Sequence, residues 1–356
     1  NVLDIGIVAN TDSADIRAKN ASILKEQIDA SNKGGSWDTK TFYFPKGSYH
    51  FDTVEITDKT KEYIIWLEWE DYRNGRDTCV GINTHGKNFI ISNTPDIDTS
   101  KGETNSTLFV VKNMSFSSSN DLQTKPTGTC FSIYPAAEGS ECNFWFDNVI
   151  FSFFEYGFKS PGWTCGGSRA YNITFYACRY GIYLGNTSHN LIIDTVNFNY
   201  CQYGIRFGYG GDPCKISNIH VAAGCYAGMS EYLAEDEKMY AIQCRCGVIV
   251  DGIYVEQYGG SETPLDHYTL IDYVGYAIPT ANKVIIRNIP ISNIDAAGKG
   301  KIFTGKTMTA AGDVEFKPLE RLKYFTNGCV NFENCLRRSE DFTNKIKSNF
   351  VIEGGL

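Results

Sequence analysis

The sequence predicts an all-β solenoid, in which short strands wind into stacked coils behind one short N-terminal helix. Three observations predict it. The 356 residues carry 22 Tyr, 22 Phe and 34 Gly, a mix that favours strands and turns over helices. A four-residue pattern recurs: a polar residue or Gly, an apolar residue, any residue, an apolar residue. A column of glycines travels with it in fixed phase. A unit this small cannot bury its own apolar face. Stacked coils bury it continuously and pair each strand with its equivalent one coil away, roughly 4.8 Å apart.

The first legible element is "TFYFPKGSYHF", residues 41–51. Its aromatic residues alternate as in a strand, but Pro45 removes a backbone donor and Gly47 permits an angle that a side chain forbids. The stretch therefore reads as strand, tight turn, strand. "IIWLEWEDY" follows as a strand-rich approach to the coils. The coils carry the tetrad at NFII (Asn88), NMSF (Asn113), NVIF (Asn148), NITF (Asn172), TVNF (Thr195), NIHV (Asn218), GIYV (Gly252) and NIPI (Asn288). The basic step is 23 to 25 residues, and longer steps read as coils with about ten extra residues in a loop. Gly157, Gly181, Gly204 and Gly228 form the second column, and Phe154, Cys178, Cys201 and Cys225 the third.

Period-two alternation within "RYGIYLG" puts Tyr180, Ile182 and Leu184 inward and Arg179, Gly181 and Tyr183 outward. In the next coil it puts Tyr203, Ile205 and Phe207 inward and Gln202, Gly204 and Arg206 outward. The cysteine column reads as small apolar residues stacked in the core, buried and reduced. The recurring Asn reads as a ladder at a bend, each side chain bonding the adjacent backbone.

Three domains follow: a cap over 1–55, coils over 56–300 with loop insertions near 117–128, 230–246 and 258–268, and a C-terminal cap or association segment over 301–356. The formal net charge of −8 argues against a nucleic-acid partner. No apolar run reaches membrane-spanning length, so no membrane insertion is expected. The chain starts at Asn1 without a signal-peptide pattern, which reads as a mature secreted form or a segment of a longer chain. The twelve cysteines include no Cys-x-x-Cys pair. No metal and no cofactor is expected.

The repeat resembles the right-handed, single-stranded parallel β-helix of the pectate-lyase-like superfamily. "NVLDIGIVANTDSAD" looks like that family's opening strand and acidic turn. "ASILKEQIDASNKGG" looks like its capping helix, with Ile23, Leu24 and Ile28 on one face, and residues 41–51 look like its Phe-Pro-x-Gly-x-Tyr segment. The resemblance covers roughly residues 1–300. It implies a polysaccharide depolymerase, hydrolase or lyase, of the kind found in phage tail spikes and secreted microbial glycanases. The alternative it leaves open is a non-catalytic adhesin or receptor-binding spike. It also implies a homotrimer and an extracellular location, on a virion surface or secreted.

The polygalacturonase constellation of paired aspartates, Gly-His-Gly and Arg-x-Lys does not carry over. At the matching places stand Glu155-Tyr156, Arg179-Tyr180 and Gln202-Tyr203, with Arg206 the one arginine kept. The candidate site is instead an outward strip. Glu155, Arg179 and Arg206 are the candidate catalytic residues: Glu155 as acid or base, the arginines as clamps for an acidic sugar. Tyr183, Lys159 and Gln202 are the candidate substrate-binding residues on the same strip. Asp266 and His267 join them from the 258–268 loop. Glu231, Glu235, Asp236 and Glu237 form an acidic loop that is read as exposed. His189 and His220 beside the coil strands read as structural.

Overall fold

The computed structural model describes residues 1–31, 40–58, 63–69, 80–93, 99–101, 107–118, 125–134, 142–160, 164–185, 187–206, 214–223, 239–244, 248–258, 268–276, 284–287, 301–309, 312–314 and 330–333. A twelve-stranded and a ten-stranded sheet run along the chain. Strand neighbours in them are parallel, apart from the hairpin of Lys301–Thr309 with Gly312–Val314. The protein is a parallel β-helix. The right-handed sense is the one that parallel crossovers take almost without exception.

The register follows the repeat. Asp147, Tyr171, Asp194 and Ser217 lie opposite one another on successive coils. The fourth tetrad residue forms an inner stack. Phe116, Phe151, Phe175 and Phe198 are buried, with successive centroids 5.8, 5.1 and 5.7 Å apart and nearly parallel planes. Burying each such ring contributes about 1.5–3 kcal/mol. Parallel pairing extends across both expected boundaries. Thr41–Phe44 already pairs with Tyr63–Trp69, while Lys301–Thr309 and Val330–Glu333 continue the sheets past residue 300.

Each coil bends at the first tetrad residue. Asn113, Asn148, Asn172, Thr195 and Asn218 have φ of 57, 54, 51, 58 and 53°. This is the left-handed region, which Asn tolerates better than most residues. Their side chains bond each other, not the adjacent backbone as expected: Asn148 Nδ2 donates to Asn113 Oδ1 and Asn172 Nδ2 to Asn148 Oδ1, both at 3.0 Å. Asn88 does not belong to this ladder. The residue two after it, Ile90, sits in the other sheet opposite Val54 and Phe131. The tetrad is short enough that any strand start can imitate it. Asn288 lies outside the described residues.

A second left-handed corner, at Phe153, Ala177 and Tyr200, leads into the ten-stranded sheet. The glycine column stacks there as expected, since Tyr156, Tyr180 and Tyr203 pair in order, as do Phe158, Ile182 and Ile205. Its direction is the reverse of the alternation reading. A Cβ on Gly181 would lie 3.0 Å from the Phe175 ring and 2.6 Å from the Gly204 carbonyl. The glycines therefore face inward, and Tyr180 lies outside, half-buried. Alternation assumes an unbroken strand. Here the chain turns a corner just before the strand, and the inner Phe stack leaves room for hydrogen only.

Cys178 and Cys201 are free and buried. Their thiols donate to the Phe151 and Phe175 carbonyls at 3.5 and 3.4 Å. Burial pushes the Cys178 thiol up to about 12, so it is not a thiolate at neutral pH. Cys225 and Gly228 lie outside the described residues, and the place after Gly204 in the glycine column is held by Ala241 and not, as expected, by Gly228.

The helix spans Ala14–Ser31, with Ser13 Oγ capping the Ile16 amide at 3.2 Å. Leu24 and Ile28 are fully buried and Ile23 packs partly beneath them. The buried Asn20 has its amide fully used. It bonds the Val8 amide and carbonyl at 2.8 and 2.9 Å and the His50 carbonyl at 3.0 Å, tying the opening segment, helix and first coil together. Gly47 has no positive φ, so the expected reason for it is wrong. A Cβ there would come within 3.3 Å of Ala9 Cβ and Asn10 Oδ1, so the close approach of the opening segment favours glycine. No helix among the described residues is long and apolar enough to cross a membrane.

Candidate functional site

The expected strip exists as an array on the ten-stranded sheet. Lys159, Tyr183, Arg206, Gln243 and Asp272 occupy one row on five successive coils. Beside it runs a stack of rings. Tyr156, Tyr180, Tyr203 and Tyr240 have successive centroids 4.7, 4.4 and 4.7 Å apart. The corner supplies a third row of Glu155, Arg179 and Gln202.

These side chains are largely engaged with one another. Arg179 Nη1 lies 3.4 Å from Glu155 Oε1, and its Nε donates to Gln202 Oε1 at 3.2 Å. Arg206 donates to the Tyr183 hydroxyl at 2.9 Å, and its guanidinium lies 4.6 Å from that ring's centroid. Lys159 Nζ lies 4.2 Å from the Tyr156 ring centroid. Burial pulls the Lys159 ammonium below its ordinary range, against the opposing pull of Glu155. Gln202 is not outward as expected but fully buried. The tight corner around the glycine column folds its side chain under Arg179. Asp266 and His267 lie outside the described residues, as does the acidic loop at 231–237.

Asp272, in the strip and only 8% exposed, was missed by sequence reasoning. Its carboxylate accepts from Gln243 Nε2 at 2.8 Å. It stands four coils from Lys159, about 19 Å along the stack. That is too far to act with Glu155 on one glycosidic bond, where the two carboxyl groups stand roughly 5–9.5 Å apart.

The twelve-stranded sheet carries a second array that sequence reasoning also missed. A cleft of about 380 Å³ is lined by Tyr171, Ile192, Asp194, Lys215, Ser217, Asn218 and Asp251. Asp147, Tyr171, Asp194, Ser217 and Asp251 form one row on successive coils. Asp194 and Asp251 therefore stand two coils apart, about 9.6 Å between backbones. Asp194 Oδ1 accepts from Ser217 Oγ at 2.7 Å and Asn218 Nδ2 at 2.8 Å. Both donors sit on the next coil, between Asp194 and Asp251. Tyr171 presents an exposed ring at the near end, and Trp145 is exposed in the adjoining row. The signal was present in the sequence: each member of this row directly precedes the first tetrad residue.

His220, on the neighbouring face, shares a 3.2 Å hydrogen bond with Asn197 and stacks on Tyr254 at 5.5 Å. It is a satisfied structural histidine, as expected. The side chain of His189 lies outside what the structure describes.

No family model matches the chain, and no curated protein matches it. Among solved structures it is similar to Pantoea stewartii WceF, described as a glycan biofilm modifying enzyme with a bacteriophage tailspike-like parallel β-helix fold. The identity is 10% and the TM-score 0.44. The match covers 96% of this chain but spans only 39% of that one.

Proposed function

We propose that this protein binds and cleaves a polysaccharide, and that it does so by hydrolysis at the cleft of the twelve-stranded sheet. One observation carries the reading. Asp194 and Asp251 flank the single coil of Ser217, and Asp194 is held by donors from that coil. Inverting glycosidases hold their two carboxyl groups roughly 6.5–9.5 Å apart, which leaves room for the attacking water. The two-coil backbone separation of about 9.6 Å stands at the upper edge of this range. Asp194, held by two donors, orients the water as base. Asp251 protonates the leaving oxygen. Tyr171 packs on a sugar ring, and Lys215 meets an anionic substituent. The extracellular location and the homotrimer belong to the same proposal. Light scattering that reports a monomer at micromolar concentration would remove the second.

The alternative reading is receptor binding without cleavage along the strip of Glu155, Arg179, Tyr183 and Arg206. The arginine stacked on Tyr183 favours it, because such a pair offers a planar cation beside an apolar face for an acidic sugar.

Incubation with a panel of bacterial polysaccharides, followed by assay of reducing ends, tests both. Hydrolysis releases reducing ends without the ultraviolet absorbance of an unsaturated product, and Asp194→Asn and Asp251→Asn abolish the release. Wild-type rates in both variants would overturn the assignment to the cleft. Tight binding without release on any polysaccharide would favour the strip.

A further inference from the structure

A second cluster lies far from both arrays, where the N-terminal segment meets the first coils. Asp12 sits in the turn before the helix, His50 in the strand Ser48–His50, and His85 in the turn after Val80–Asn83. Their polar atoms converge. His50 Nδ1 and His85 Nε2 are 2.9 Å apart, and Asp12 Oδ1 is 3.4 Å from His85 Nε2 and 3.9 Å from His50 Nδ1. No sequence motif announces this, because 35 or more residues separate each of these donors from the next.

We propose that Asp12, His50 and His85 form a binding site for one divalent transition-metal ion, with zinc the best fit, that clasps the N-terminal cap to the first two coils. The three separations bracket the edge of a tetrahedron around zinc. With ligand bonds of about 2.0–2.1 Å, that edge is about 3.4 Å. Two imidazoles and a carboxylate make a donor set of borderline hardness, which suits zinc and its neighbours and not magnesium or calcium.

The surroundings are built to hold the donors. His50 Nε2 is engaged by Ser48 Oγ at 3.2 Å, leaving Nδ1 to point at the cluster, as an outer partner does for a metal-bound histidine. His85 has φ 52° and is followed by Gly86 at 81°, with the Lys87 amide closing the turn onto the Thr84 carbonyl at 3.0 Å. Two successive left-handed residues make a tight turn that most side chains resist. This one aims an imidazole back at the cap. His85 is 28% exposed and Asp12 43% exposed in their side chains, so a water can complete the coordination.

Arg17 opposes the ion. Its Nη1 lies 2.6 Å from Asp12 Oδ1. Oδ1 would then be shared between the guanidinium and the metal, and the nearby positive charge lowers the affinity. Asp52 offsets part of that charge, being 3.7 Å from Arg17 Nε, although Lys87 also holds it at 2.7 Å. Without an ion, the two imidazoles share one hydrogen bond, and one ring must be the donor.

The test uses the full chain after chelation and dialysis. Zinc is titrated by calorimetry, and cobalt(II) by its visible absorption, whose intensity reports tetrahedral coordination. The expected result is one zinc per chain and a thermal midpoint that rises with zinc. His85→Asn keeps a residue that tolerates the left-handed turn, and His50→Gln keeps the strand. Each should weaken zinc by more than the roughly 10–100-fold that losing an outer partner costs. Ser48→Ala should cost a factor within that range. The proposal is overturned if the wild type binds no zinc, or if His85→Asn, shown folded by circular dichroism, binds zinc as the wild type does. In the second case the metal sits on other histidines or cysteines.

Discussion

The two outward arrays differ in how their polar groups are spaced along the stack. On the ten-stranded sheet, complementary groups occupy adjacent coils. Glu155 lies against Arg179, Tyr183 against Arg206, and Tyr156, Tyr180 and Tyr203 stack face to face with Tyr240 tilted against the last. A rise of roughly 4.8 Å per coil is the distance at which neighbours in a row satisfy each other. On the twelve-stranded sheet, Asp147, Asp194 and Asp251 occupy alternate coils, with Tyr171 and Ser217 between them. Like charges directly opposite would destabilise the sheet. Placed two coils apart they are tolerated. At both ends the same row returns to adjacent complementarity, with Lys112 opposite Asp147 and Arg287 opposite Asp251, so the alternation, and the site proposed on it, is confined to the middle of the row.

The largest effect that would break this comparison is on activity. Asp194→Asn or Asp251→Asn should lower the rate of reducing-end release by about 10²–10⁴-fold, as expected for loss of a general acid or base. Glu155→Gln should leave the rate unchanged. The opposite pattern would move the chemistry to the strip.

Next in size is Gly204→Ala. A Cβ there would lie against the Ala241 carbonyl oxygen, and backbone cannot yield as a side chain can. Urea unfolding should show a loss of at least about 1–3 kcal/mol, the ordinary cost of overpacking a core. Normal stability would mean that the coils separate more readily than the inner Phe stack implies.

Arg179→Ala sharpens the contrast between ladder and site. It strips Glu155 of its cation and leaves the buried Gln202 oxygen without a donor. A loss of about 1–3 kcal/mol in the same unfolding measurement is expected, with hydrolysis preserved. The smallest effect is a gain. Thr195 is β-branched and holds φ 58° in the Asn ladder. Thr195→Asn should raise stability by about 1 kcal/mol, since Asn relieves the left-handed strain and can extend the bonds between Asn148 and Asn172. No rise in the thermal midpoint would mean that Asp194, already bonded to Asn218, competes for the new amide.

The glycine, phenylalanine and cysteine columns were legible because each is a single-residue periodicity set by the coil length, and stacking is local to the next coil. The N-terminal helix was legible from its apolar face and came out at Ala14–Ser31. The strip was found because glycine flags its corner. The acidic row was equally periodic, but its residues change type from coil to coil, as Asp, Tyr, Asp, Ser, Asp. A column that is chemically heterogeneous carries no repeat signal until the register is known. Asp272 was hidden because its coil, like that of Gln243, lacks the glycine that marks the coils of Lys159, Tyr183 and Arg206.

The sequence by itself determined that short strands must stack with a period of 23 to 25 residues, because the apolar residues recur in that phase and have no other way to leave water. It also determined the first bend of each coil, through Asn and, at Gly252, glycine that tolerate left-handed backbone, whereas the second bend, at Phe153, Ala177 and Tyr200, carries no such residue. Tertiary structure alone decided which way the glycine column faces, since the Phe stack of the neighbouring strand fills the space that a Cβ would need. It alone decided that the carboxylates stand two coils apart, and that Asp12, His50 and His85 meet within 3.9 Å. Distances between rows depend on how coils turn their corners, and a corner is set by packing across the interior, not by the residues that line it.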